Sequence, residues 1–345
     1  MNEIKTVKSP NYNYIFNRAN GSFARWGKYF NDDPEFSPFG PEILDIEVST
    51  ICHRACPFCY KSNTAIGKNM AFATFKEILD KMPDNLTQIA FGIGSIDANP
   101  DLLKMMEYSR SKGVIPNITI NGDRLTDEHI EKLTHLCGAV AVSLYDEDTC
   151  YNTVKALSDK IGQPGTTLKQ VNIHALLSHE TITRCMTALS SKASDQRLKN
   201  LNAIVFLMLK PKGNRNTYTK VNHEEYETLV LLALQNKIPI GFDSCSAPSF
   251  LKVTEEMPEF EKFKMLAEPC ESTLFSYYIN VDGIGFPCSF TEGHQDYEGV
   301  DVLNAKEFMS DVWNHRETRK FRDNIIHNTD GNNCRNCFLY DLEVR

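Results

Sequence analysis

From about residue 43 the chain alternates short strand-like runs with longer helical ones, and this rhythm restricts its fold more than any other feature. The strand-like runs cover residues 43–48, 87–92, 115–121, 139–144, 170–177, 202–209 and 238–243. Between them lie stretches with helical spacing. In FATFKEILDKM, Phe72, Phe75, Ile78, Leu79 and Met82 share one helix face. PDLLKMMEYSRSKG opens near Pro100 and stops at Gly113, and TDEHIEKLTHLCG begins with a threonine N-cap followed by acids. Alternation at this pace needs crossover connections, and so parallel strands beneath covering helices. The expected fold class is α/β. Six or seven such units suit a full or partial barrel, and an open doubly wound sheet is the other arrangement the pattern allows.

Side-chain parity along the strands adds a constraint. Asp45, Glu47 and Ser49 share one face of the first strand, Asn117, Thr119 and Asn121 one face of the third, and Asn172 and His174 one face of the fifth. A closed, dry barrel fills its interior with apolar side chains. A polar inner face fits a wider barrel that holds a ligand, unless these groups merely satisfy one another. Residues 1–40 read as an N-terminal appendage, a hairpin turning at Asn20-Gly21. The barrel would occupy 41–243. Residues 244–345 read as a small second domain, with an irregular stretch over 246–263, a hairpin turning at Asp282-Gly283, and a helix over 305–326.

Eleven cysteines stand in the chain, an odd number with short spacings. The N-terminus lacks the apolar run of a secretory signal, and no stretch has the length of a membrane helix, so a soluble cytoplasmic protein is expected. A net charge of −8 gives no global reason to bind nucleic acid. In that setting clustered cysteines point to metal or redox chemistry before disulfides. Cys52, Cys56 and Cys59 form C-x3-C-x2-C directly after the first strand, where α/β proteins build their sites. Three such thiolates can take three irons of a cubane and leave the fourth iron open. Structural zinc and incidental core cysteines are the alternatives. Cys270 and Cys288 flank the second hairpin, and Cys334 and Cys337 form a terminal C-x2-C; together they make a four-thiolate site for an iron–sulfur cluster or zinc. Cys137, Cys150 and Cys185 sit in helical patterns and read as core. Cys245, after the seventh strand, is either a small buried residue or a group at the barrel mouth, acting as hydrogen-atom donor, substrate partner or further ligand.

With Phe58 as the aromatic in C-x3-C-x-aromatic-C, residues 40–245 resemble the radical S-adenosylmethionine (SAM) superfamily. The resemblance implies a partial (β/α)6 barrel and a 4Fe–4S cluster on three cysteines with exchangeable SAM. It implies cleavage of SAM to a 5′-deoxyadenosyl radical that abstracts hydrogen from the substrate. Expected SAM contacts are Phe58; Gly92, Gly94 and Ser95, where the family usually has Gly-Gly-Glu-Pro and this chain lacks the glutamate; Asn121 in Thr-Ile-Asn-Gly; and Ser143. Asn172 and His174, facing the barrel interior, are candidate contacts for substrate or SAM. Lys210-Pro211-Lys212-Gly213 is a familiar ending for the sixth strand. The second cysteine set resembles the SPASM/twitch auxiliary domains, in the shorter twitch form with one auxiliary 4Fe–4S cluster. Such an enzyme would oxidise or cross-link a peptide, as in ribosomal peptide maturation, or modify a small sugar-like molecule. A non-catalytic zinc or iron–sulfur scaffold is the rival. An external electron donor such as a flavodoxin or ferredoxin is expected. A separate peptide-presenting protein is expected too if the substrate is a peptide, since only about 40 residues precede the barrel.

Overall fold

A computed structural model of the chain describes residues 3–30, 32–328 and 335–344. Seven parallel strands follow the sequence pattern closely: β4 (Ile43–Glu47), β5 (Gln88–Gly92), β6 (Ile115–Ile120), β7 (Ala139–Ser143), β8 (Gln170–Leu177), β9 (Ala203–Met208) and β10 (Ile240–Phe242). They pair in sequence order, each parallel to its neighbour. The crossovers are helices α1 (Phe72–Lys81), α2 (Leu102–Ser111), α3 (Asp127–Leu136), α4 (Glu147–Ser158), α5 (Ile182–Ser194) and α6 (His223–Gln235). Their boundaries have local causes. The Thr126 side chain accepts from the His129 backbone in a reciprocal capping box before α3, and Gly113, at φ +76°, ends the turn after α2. Apolar helix faces such as Phe75, Ile78 and Leu79 of α1 pack with Leu44, Ile46 and Ile89 in one continuous core. Cys137, Cys150 and Cys185 are buried in that core.

The C-terminal hairpin does not form a sheet of its own. Its first strand, β11 (Ser276–Ile279), runs parallel to β4, with Tyr278 opposite Asp45; β12 (Ile284–Phe286) and β13 (Val300–Asp301) continue antiparallel. The hairpin thus covers the edge that β4 would otherwise expose, and the result is one open ten-stranded sheet. The stretch read as irregular holds two short helices, α7 (Ala247–Thr254) and α8 (Phe260–Leu266). Pro248 sits in the first turn of α7, where a missing N–H costs nothing, and Leu251 is buried. The expected helix over 305–326 is broken: a wide turn at Met309–Trp313 precedes α9 (Arg316–His327), whose N-cap is His315.

The N-terminal hairpin forms as expected, with Gly21 at φ +77°, between β2 (Asn13–Asn17) and β3 (Phe23–Trp26). A further strand, β1 (Ile4–Val7), joins β2. This small sheet buries Tyr12, Tyr14 and Phe16 against Leu274, Phe275 and Cys270, so it roofs the second cysteine set. Arg25 fastens it at 2.8 Å to both Glu42 and Glu271.

Candidate active site

The loop after β4 carries Cys52, Cys56 and Cys59, and neighbouring loops grip it from several sides. Cys52 N–H donates to the Thr64 carbonyl at 2.7 Å, and His53 N–H to Ser95 Oγ at 3.2 Å. Arg54 forks onto Asp123, beyond β6, at 2.8 and 3.0 Å. From beyond β9, Asn214 N–H donates to Ser62 Oγ at 2.8 Å and Arg215 donates to the Asn63 carbonyl at 2.9 Å. Two glycines allow the close approach. A Cβ on Gly94 would overlap Cys52 and stand 2.5 Å from the Ile51 oxygen, and one on Gly213 would collide with the Cys59 carbonyl. Gly94→Ala is therefore expected to displace the cysteine loop without unfolding the chain. A strain of about 1–3 kcal/mol at this contact should weaken SAM binding roughly tenfold or more, measured by equilibrium dialysis.

The loop closes one end of a cavity of about 450 Å³. Side chains from β4, β5, β6, β7, β8, β9 and β11 all reach it, so the parallel sheet curls around it as a partial barrel. Its wall holds Cys52, Cys56, Cys59, Phe58, Gly92, Gly94, Asn121, Ser143 and His174, nine of the residues expected there from sequence. Phe58 packs between Tyr145 and Tyr218, at 5.6 and 5.2 Å between ring centres. Asn121 donates to the Gly94 carbonyl at 3.0 Å, which ties the third strand's end to the glycine loop. His174 Nδ1 lies 3.3 Å from Thr119 Oγ1, and burial pushes its pKa down to about 4, leaving the ring neutral.

Two expected contacts fall elsewhere. Asn172 does not line the cavity; its Oδ1 accepts from Asn202 Nδ2 at 2.9 Å. Ser95 is buried behind the wall, supporting the His53 backbone. Cys245, in a short turn after β10, is also outside the cavity. Burial raises its thiol well above the usual range, and it sits beside the Lys210–Asp243 ion pair and within reach of the charges of Cys270 and Cys288.

Sequence reasoning did not find Lys61. Its ammonium reaches Glu47 at 3.2 Å, Tyr278 Oη at 2.7 Å and Glu292, joining the cysteine loop, the first strand and the C-terminal hairpin. Burial raises the Glu47 carboxyl, with Lys61 opposing. Burial would raise Glu292 as well, but hydrogen bonds from Lys61 and Asn280 hold it below its ordinary value.

The donor sets fit iron–sulfur clusters. Burial and then the neighbouring Cys52 thiol, with Cys59 adding to it, push Cys56 up to about 11, so the three sulfurs are grouped at the cavity wall and would take up thiolate form on binding a metal. Among the described residues no three His, Cys, Asp or Glu side chains converge on a single ion. Thiolates that each take a different iron of a cubane need not do so. Burial and the charges of Cys270 and Cys337 likewise push Cys288 up to about 12. Cys334 lies outside the described residues.

A partial α/β barrel with a triply thiolate-lined mouth and a second thiol set beside it defines a class, and comparison with known proteins names it. Residues 46–180 match the radical SAM superfamily and residues 270–338 match an iron–sulfur cluster-binding domain, SPASM. The chain belongs to the radical SAM superfamily and carries a SPASM auxiliary-cluster domain. Its cofactors are accordingly a 4Fe–4S cluster, SAM and an auxiliary iron–sulfur cluster. A cofactor-modifying protein for tungsten-containing aldehyde ferredoxin oxidoreductase from Pyrococcus furiosus is 32% identical over 100 residues, 28% of each chain. The match thus spans little more than a quarter of that relative's length. Streptococcus suis SuiB bound to SAM superposes with a TM-score of 0.71 at 13% identity, covering 98% of this chain and 95% of SuiB. Its complex with the precursor peptide SuiA gives a TM-score of 0.70 at 12% identity over 98% and 94%. Native anSMEcpe with bound AdoMet and Cp18Cys peptide gives 0.57 at 13% identity over 81% and 82%. These structural likenesses establish the fold. Among the described residues no helix is long and apolar enough to cross a membrane.

Proposed function

We propose that this radical SAM enzyme modifies a peptide, by oxidation or cross-linking, inside the curled sheet. In this reading Cys52, Cys56 and Cys59 hold the SAM-binding cluster, and Cys270, Cys288, Cys334 and Cys337 hold the auxiliary one. Reductive cleavage of bound SAM would supply a 5′-deoxyadenosyl radical that removes hydrogen from the substrate. The chain's own residues position and shield the reactants. The Gly92–Gly94 loop, Asn121 and Ser143 offer backbone and polar contacts to SAM at the strand ends, and Phe58 excludes water from one side. Neutral His174 offers a ring nitrogen to the substrate or to the nucleoside. Cys245, beside the auxiliary thiols, is placed as a positioning neighbour of that cluster.

The observation that carries the proposal is a single cavity that holds the cysteine loop, the glycine loop, and Tyr278 and Ser289 from the C-terminal unit. A substrate seated there touches both thiol-bearing parts of the chain. A peptide is favoured over a small molecule because a second, polar cavity of about 600 Å³ adjoins the first and shares Glu47, Tyr60, Lys61 and Asn63 with it. SuiB and anSMEcpe, which share the fold, are both known in complexes with peptides. Protein reconstituted without oxygen should hold about eight irons per chain and, once reduced, convert SAM to 5′-deoxyadenosine and methionine. Zinc in both sites, or full iron loading without SAM cleavage at any substrate tried, would reject it.

A further inference from the structure

The cavity wall carries one carboxylate with nothing to answer it. Asp45 points inward from β4, flanked in register by Ala90 of β5 and Tyr278 of β11. Among the described residues no hydrogen bond or ion pair reaches it, and its side chain stands open to the cavity. Its place deep inside the curled sheet pushes its carboxyl up to about 6, so at neutral pH it is still largely an anion. The other charged side chains of the wall are compensated: Glu47 and Lys61 pair with each other, and burial keeps His174 neutral. A carboxylate that stands open to the cavity and bonds to nothing in the chain is free to take a cation from a ligand.

Position separates Asp45 from the SAM contacts. Those contacts lie at the C-terminal ends of the strands, beside the cysteine loop. Asp45 lies two residues earlier on β4 than Glu47, about 6–7 Å farther from that rim. Ala90, Leu176 and Leu207 add apolar wall to the same cavity. Apolar walls with a lone carboxylate match an aliphatic chain that ends in a cation.

We propose that Asp45 is a specificity residue that receives a protonated amine at the end of an aliphatic substrate chain, a lysyl side chain if the substrate is a peptide. This rests on the peptide reading above only for the nature of the carrier. The test uses the reconstituted, SAM-loaded, unreduced protein, so that binding is read without turnover. Four probes are titrated by calorimetry: Ac-Gly-Lys-Gly-NH2, its norleucine analogue, 1-aminopentane and 1-pentanol. Each amine should bind at least about tenfold tighter than its neutral counterpart, the scale of one charge-assisted contact. Asp45→Asn should erase that preference and leave the neutral probes unchanged. The variant's cluster absorbance and melting temperature check that it folds, and removal of a carboxylate that bonds to nothing in the chain should not lower the latter.

Norleucine and lysine peptides that bind alike, or a lysine preference that survives Asp45→Asn, would overturn the inference and leave the peptide reading standing. Asp45-dependent binding of 1-aminopentane with no binding of either peptide would uphold Asp45 and reject the peptide. Failure of both amines to bind at millimolar concentration would overturn the assignment of Asp45.

Discussion

Cys59→Ala should strip about four irons from the reconstituted chain and cut 5′-deoxyadenosine formation by more than about a hundredfold, since mutating mere outer partners of a metal ligand already costs 10–100-fold. The fold should survive. The loop that carries Cys59 is held by contacts that do not use its sulfur: the Arg54–Asp123 fork, the Ser95 and Thr64 bonds, and the Arg215 clamp. The measurement is iron per chain together with chromatographic detection of 5′-deoxyadenosine. Cys150→Ala is the matched control. It removes a thiol buried on α4, far from either thiol set in sequence, and should leave both readings unchanged while costing some stability. If Cys59→Ala kept its iron and its activity, the cluster would have to sit elsewhere.

Much of this arrangement was legible in the sequence because parallel strands joined by covering helices announce themselves. The seven runs between residues 43 and 243 are short, apolar and spaced by amphipathic helices, and all seven became strands within two residues of their expected ends. The cysteine loop was legible because three thiols after a strand have few structural uses. Parity placed Asp45 and Glu47 on the inner face correctly. Parity cannot say what a side chain bonds to, however. Asn172 shares a strand face with His174, yet it is tied to Asn202, which precedes the next strand and whose reach depends on register. Ser95 lies beside Gly94 in sequence but turns behind the wall to hold His53. The pairing of β11 with β4 was hidden for the same reason. A parallel contact between residues about 230 apart in sequence leaves no local trace, because only the tertiary fold decides which edge a hairpin covers.

That long-range pairing sets up the other large effect. Lys61→Met should destabilise the chain by about 3–5 kcal/mol, the usual result of removing one partner from a buried ion pair. Lys61 lies between two carboxylates, and the side chains of Lys61 and Glu47 are only 13% and 7% exposed. Without the lysine, Glu47 and Glu292 would face each other, Glu292 keeping the bonds from Tyr278 and Asn280 and Glu47 keeping the one from the Val281 N–H. The sign of the pH dependence follows. Burial already raises the Glu47 carboxyl and Lys61 opposes that rise, so the variant's Glu47 must titrate higher still. Where that carboxyl is charged the full penalty applies; as the pH falls through its raised pKa it takes up a proton and the gap to wild type narrows. Melting temperatures of the reconstituted proteins at pH 8 and pH 5.5 measure that gap. A second substitution separates charge from packing: Glu47→Gln added to Lys61→Met should recover a large part of the loss at pH 8. If the double variant were no more stable than the single one, lost packing of the lysine stem would be the cause. Because Lys61 stands two residues after Cys59 and grips the hairpin between Cys270 and Cys288, the same variant should also loosen the cavity wall at Tyr278. SAM affinity, read by equilibrium dialysis, is expected to weaken in Lys61→Met and to return in part with Glu47→Gln, since the strand and the hairpin can then close on each other without repulsion.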